Sequence, residues 1–149
     1  MSNRWMVGAV PLLMSIGLLG CSSDATPIDC GPKPHPVSGT VTFKGKPMGG
    51  AIVTFYPMTT GEKFAAAPSA TADADGKYRL TTYFSGDGAP AGEYRVTIYW
   101  PGKRRGLPND DGDLPPDQLK EVYANKATSK LRAKVAAQEN TIDFALPTP

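Results

Sequence analysis

The sequence predicts an all-β protein, a sandwich of two sheets, on three observations. Seven short segments alternate apolar and polar side chains with the period of two that a half-buried strand requires. Clusters of Gly, Pro, Asn and Asp separate these segments. The chain carries 16 Gly and 15 Pro in 149 residues, which favours many turns over long helices. An alternating strand has one apolar face, so two such sheets must pack face to face.

The first strand is read from Val37, with Val41 and Phe43 alternating with Thr40, Thr42 and Lys44. Gly45-Lys46-Pro47-Met48-Gly49-Gly50 forms a turn cluster. Val53 and Phe55 then alternate with Ile52, Thr54 and Tyr56, and the run stops at Pro57. The segment 67–72 is the weakest strand, being mostly Ala, Ser and Thr. Asp73-Ala74-Asp75-Gly76 supplies a hairpin turn. The remaining inner positions are Tyr78, Leu80 and Thr82, then Tyr94, Val96, Ile98 and Trp100. Leu131, Ala133 and Val135 follow, and Ile142, Phe144 and Leu146 complete the expected core. On this register Lys44 and Asp143 face outward, and Asp143→Ala is expected to cost under about 0.5 kcal/mol.

Residues 1–20 read as a secretory signal. One charged side chain, Arg4, precedes an apolar run over 5–19 that is interrupted by Pro11. That run is too short for a membrane-spanning helix, which needs about 20 residues. Leu18-Leu19-Gly20-Cys21 resembles the lipobox of bacterial lipoproteins. The resemblance implies cleavage between Gly20 and Cys21, diacylglycerol on the Cys21 thiol and acylation of the new amine by a palmitate-type chain. Two or three acyl chains, at about 0.8 kcal/mol per buried methylene, would anchor the chain to a membrane essentially permanently. Ser22 in place of Asp favours, by the same resemblance, the outer membrane or cell surface over the inner membrane. Residues 21–36 contain Pro27, Pro32, Pro34 and Pro36 without an apolar period. They read as an extended spacer of at most roughly 45 Å. Cys30 and His35 fall in it and read as linker residues. The sandwich domain is expected over 37–146, with 147–149 as a tail.

The same arithmetic removes most chemistry. A net charge of +2 gives no footprint for nucleic acid. One His and two Cys exclude most zinc sites, a His-based catalytic pair and a disulfide scaffold. Aligning Gly76 to the sixth position of a calcium-binding EF-hand loop puts Thr71 and Thr82 at the first and last ligand positions, so that pattern fails. Ser69, Ser85 and Ser129 have no neighbouring His to act as base. No metal, cofactor or catalytic residue is expected.

The long break between strands, 101–126, exceeds a hairpin loop. It carries Lys103, Arg104 and Arg105, then Asn109, Asp110, Asp111 and Asp113. Lys103, Arg104, Arg105, Asp110, Asp111 and Asp113 are the candidate binding residues, and a solvated crossover loop is the competing reading. The acidic group suits at most a weak hard-cation site, and the basic run an anionic lipid or polysaccharide. Pro115-Pro116-Asp117-Gln118-Leu119-Lys120-Glu121 suits the start of a short helix.

Several stretches resemble the carboxypeptidase-regulatory-like, transthyretin-like domains of small lipoproteins from planctomycete-type bacteria. They are Gly39 to Pro47, Thr54 to Pro57, Asp73 to Leu80, Gly86 to Ile98, Tyr123 to Ser129 and Glu139 to Phe144. Lys126 departs from the Pro expected there. The resemblance implies a seven-stranded Greek-key β-sandwich and little about function. Related sandwiches include a purine-pathway hydrolase that needs several His, and intradiol dioxygenases that need two His and two Tyr on iron. A chain whose single His is His35 fits neither. Two functional readings follow. The first is a non-enzymatic, lipid-anchored envelope module with an envelope protein or polysaccharide as partner. The alternative is a glycan or small-molecule binder using Tyr83, Phe84, Tyr99 and Trp100 as an aromatic platform.

Overall fold

The computed structural model describes residues 31–58, 67–102 and 115–147. Among these there is no helix, and eleven strands form. They are β1 (Pro34–His35), β2 (Val37–Phe43), β3 (Lys46–Pro47), β4 (Ile52–Pro57), β5 (Ser69–Thr71), β6 (Lys77–Arg79), β7 (Ala89–Pro90), β8 (Gly92–Tyr99), β9 (Arg132–Val135), β10 (Asn140–Thr141) and β11 (Phe144–Leu146). The seven expected segments correspond to β2, β4, β5, β6, β8, β9 and β11. The other four are two-residue pairings at the margins.

Two sheets face each other. One is built on β2, with β6 antiparallel on one side and β10 and β11 parallel on the other. The second runs β5-β4-β8-β9, all antiparallel. A Ser69–Thr81 bridge links β5 to the chain leaving β6. β2 and the last strand, β11, therefore pair in parallel, a contact that needs a long crossover; the rest of the sandwich supplies it.

The alternation places the core as read. Val41, Val53, Phe55, Tyr78, Leu80, Tyr94, Val96, Ile98, Val135, Phe144 and Leu146 are all buried. Four rings join the sheets. Phe55 lies 5.6 Å from Tyr94 and 6.2 Å from Phe144, and Tyr78 stacks on Phe144 at 6.4 Å. Phe43, Trp100, Leu131, Ala133 and Ile142 pack against this core but keep some exposure, because they sit at strand ends or on the open edge. Thr82 is half-exposed because the strand ends at Arg79 and the chain turns into a loop.

The turns follow from local chemistry. Phe43 pairs with Lys46 across a two-residue hairpin in which Lys44 (φ 52°) and Gly45 (φ 73°) are both left-handed. That is the geometry that matches strand twist. Asp73 Oδ1 accepts N–H bonds from Asp75 and Lys77, so the aspartates close a turn around Gly76.

Three expectations need correction. The spacer does not run free to residue 36. Pro34 and His35 pair with Pro90 and Ala89, and an added Cβ on Gly88 would lie 1.8 Å from the His35 carbonyl oxygen. The segment 115–121 is not a helix. Lys120 (φ 54°) and Glu121 (φ 62°) are both left-handed, because Leu119 is drawn into the core while Asp117 and Gln118 are held by the end of β8. Asp143 is exposed but not idle. It lies in the gap between β10 and β11 beside Thr40, and its Oδ1 accepts both the Thr40 N–H (2.7 Å) and the Thr40 hydroxyl (2.8 Å). A side-chain carboxylate thus takes a bond that a strand carbonyl would otherwise take.

Candidate functional site

The register defines two ends of the sandwich. At one end the chain enters through β1, beside Pro90 and the start of β8 at Gly92. The other end carries the β2–β3 hairpin, the Asp73–Gly76 turn and the exit of β8 at Tyr99. Eight residues of β8 separate the ends by about 25 Å.

Gly20, Cys21, Cys30 and the candidate loop residues Lys103, Arg104, Arg105, Asp110, Asp111 and Asp113 lie outside the described residues. Both roots of that loop are described, and they are fastened together at the exit end. Gly102 N–H donates to the Pro116 carbonyl at 2.9 Å, and Gln118 N–H to the Trp100 carbonyl at 2.9 Å. Gln118 Nε2 donates to the Pro101 carbonyl, and the Tyr99 hydroxyl to the Pro115 carbonyl. Asp117 is the hub. Its Oδ1 accepts the Trp100 N–H (2.9 Å) and its Oδ2 the Glu121 N–H (2.8 Å). The sequence signal for this hub was the Pro-Pro-Asp run, which reads equally as a helix start.

Around the roots lies a small set of presented side chains. Trp100 packs edge-on against Phe43 at 6.2 Å, and its Nε1–H donates to the Gly49 carbonyl. Lys44 Nζ lies 5.3 Å from the Phe43 ring centre, in cation–π range. Two consecutive left-handed non-glycine residues, Lys120 and Glu121, hold Val122 outward with 42% of its surface exposed. Such backbone persists only where the surroundings over-determine it; here Asp117 and buried Leu119 do so.

The four aromatic residues of the alternative reading do not assemble. Tyr99 and Trp100 sit at the exit end, with the Tyr99 hydroxyl and the Trp100 Nε1 committed to backbone carbonyls. Tyr83 and Phe84 lie in the loop after β6, at the entry end, where Leu80 N–H bonds to the Val37 carbonyl and Gly88 N–H to the Leu80 carbonyl. Each pair is adjacent in sequence, but the two pairs stand at opposite ends of the sandwich.

Among the described residues two groups have displaced pKa values, and both are structural. Burial pushes the Tyr78 hydroxyl well above its ordinary range, and the nearby Asp143 charge adds to this. The hydroxyl donates to the Ile142 carbonyl at 2.6 Å. Partial burial pushes the Asp87 carboxyl up, but backbone N–H groups of Thr82, Phe84, Tyr83 and Asp87 itself outweigh it and hold the group below its ordinary value. Among the described residues no three His, Cys, Asp or Glu side chains converge as metal ligands. A shallow groove of about 390 Å³ lies along β8 and β9, lined by Met58, Glu93, Tyr94, Arg132, Ala133 and Lys134.

No family model matches the sequence. No curated protein matches it either. Several solved structures are partly similar to it, all at low TM-scores. A DUF3823 family protein from Parabacteroides merdae is 12% identical, with a TM-score of 0.40 over 76% of this chain and 46% of its own. The BcpA major pilin subunit of Bacillus cereus (D312A form) is 14% identical, with a TM-score of 0.40 over 78% and 30%. The dioxygenase domain of a carbohydrate-binding fusion from Streptomyces sp. SirexAA-E is 20% identical, with a TM-score of 0.40 over 82% and 84%. The chain thus spans less than half the length of the DUF3823 and pilin structures.

Proposed function

We propose that the chain is a non-enzymatic, lipid-anchored module of the bacterial cell envelope, held by acyl chains on Cys21. In this reading it offers the exit end of its sandwich to an envelope protein or polysaccharide. One observation carries it: the described chain enters at one end of β8, and the charged loop over 103–113 is rooted at the other. An anchor joined ahead of Pro34 and a loop joined beyond Gly102 are then attached at opposite ends, as a membrane-held display module needs. The lipobox resemblance at Leu18 to Cys21 and the regulatory-like sequence stretches support the reading. So does the sequence's single His, which leaves the His-rich chemistries of related sandwiches without their ligands.

The test is affinity capture of the lipidated protein from its own membranes, with intact protein and with 103–113 replaced by a short Gly-Ser link. Capture that falls on replacement, and weakens as salt shortens screening below about 8 Å, supports charge-mediated display. Capture unaltered by the replacement overturns it.

A further inference from the structure

The entry end of the sandwich holds two large apolar side chains in solvent: Phe84 is 70% exposed and Met58 46%. Met58 N–H donates to the Glu93 carbonyl at the start of β8. Phe84 lies in the loop over 82–88, whose last residue abuts the His35 carbonyl. Slackness does not explain the exposure of Phe84. Asp87 Oδ2 accepts the N–H groups of Tyr83 and Phe84 at 2.9 Å, and Oδ1 that of Thr82 at 2.7 Å. The Thr82 hydroxyl donates to the Gly88 carbonyl, and Gly86 N–H to the Thr81 hydroxyl. A loop pinned this densely holds its aromatic tip outward at fixed geometry.

We propose that this end is a membrane-contact surface, with Phe84 and Met58 resting in the interfacial layer of the bilayer to which the chain is anchored. The inference rests on the Cys21 anchor of the preceding reading. The occupant follows from where the chain outside the described residues joins: residues 1–30 connect at Gly31, at this end and no other. From Cys21 to Pro34 the chain spans at most about 40 Å, and a tether of that length sets an effective concentration in the millimolar range. A contact too weak to bind a free domain is then populated. Lys33 and Lys134 are exposed here, but Glu93 stands opposite Lys134 in the ladder and Glu139 lies in the adjoining turn. With charge nearly balanced, apolar insertion drives the contact, and salt has little effect on it. The exit end, with Trp100 and the roots of the charged loop, is thereby directed away from the lipid.

The test uses the full protein extracted with its lipid and reconstituted into phosphatidylcholine–phosphatidylglycerol vesicles carrying brominated acyl chains. Trp5 departs with the signal segment, so the wild type reports Trp100 and Phe84→Trp adds one emitter at the entry end. The expected result is that the added emission is blue-shifted and quenched by the brominated lipid, at low and high salt alike. Trp100 emission should stay unquenched in both proteins, and an unchanged Trp100 emission wavelength reports an intact fold. Added emission that is unquenched and water-like, in protein that floats with the vesicles, overturns the contact surface and leaves the anchor standing. Protein that does not float overturns the anchor reading, and this inference with it.

Discussion

Replacing Phe144 by Ala removes the ring that ties the two sheets together. Phe144 is 8% exposed, meets Phe55 edge-on at 6.2 Å and stacks on Tyr78 at 6.4 Å. Burial on this scale makes truncation cost about 3–5 kcal/mol, the transfer term plus the cavity left between the sheets. Its sequence neighbour makes the internal control. Asp143→Ala removes two charge-assisted hydrogen bonds to Thr40 and leaves the Thr40 N–H without its acceptor. The site is exposed, so water replaces part of the loss and the cost is about 1–2 kcal/mol. Urea unfolding of each variant, with slopes of about 1–3 kcal/mol per molar, separates the two by roughly 0.3–4 M in midpoint, Phe144→Ala being the lower. Equal midpoints would mean the register is displaced by one residue. A loss under about 0.5 kcal/mol for Asp143→Ala would mean that its carboxylate does not complete the ladder.

Three further outcomes follow. Replacing residues 103–113 by three Gly-Ser residues should leave melting unchanged or slightly raised, since nearly two halvings of loop length recover about 1.1 kcal/mol of closure entropy; the roots already touch through Gly102 and Pro116, and a collapse in thermal unfolding would show the loop to be structural. The Asp87 carboxyl is held below its ordinary value of 3.8, so its contribution is fully present above that value and lost as pH falls through the lower folded-state value. Hydrogen exchange at Thr82, Tyr83 and Phe84, corrected for intrinsic rate, should therefore accelerate below about pH 4, and Asp87→Asn should show that acceleration at neutral pH; flat protection across the range would refute the role. Gly39→Ala should destabilise strongly by thermal melting, because the added Cβ lies 1.9 Å from the Ile142 carbonyl oxygen; unchanged melting would mean that β2 and the last strand do not approach as described.

Legibility in the sequence tracked periodicity. Tyr94, Val96 and Ile98 on β8 and Val53 and Phe55 on β4 declare their inner face by alternation alone, and all are fully buried or nearly so. The Asp73–Gly76 turn declared itself by residue type. Met48 and Leu119 are buried just as deeply but stand in irregular segments with no period to read. Their burial depends on turns closed by distant groups, Val41 for Met48 and Trp100 for the Asp117 hub. The left-handed Lys120 and Glu121 show tertiary contacts overriding a good helix-start pattern. The aromatic pairs failed for a different reason. Tyr83-Phe84 and Tyr99-Trp100 are each local, but their separation depends on which end of β8 each flanks, and that is set by sheet order.

The proposed anchor is Cys21, and the most direct measurement is the mass of the amino-terminal peptide from protein extracted out of its own membranes. A lipid-anchored chain begins at Cys21 with a mass that exceeds the peptide by a diacylglycerol and a further acyl group, and Cys21→Ala abolishes this modification along with membrane retention. An unmodified Cys21, or a mature chain beginning elsewhere, would contradict it.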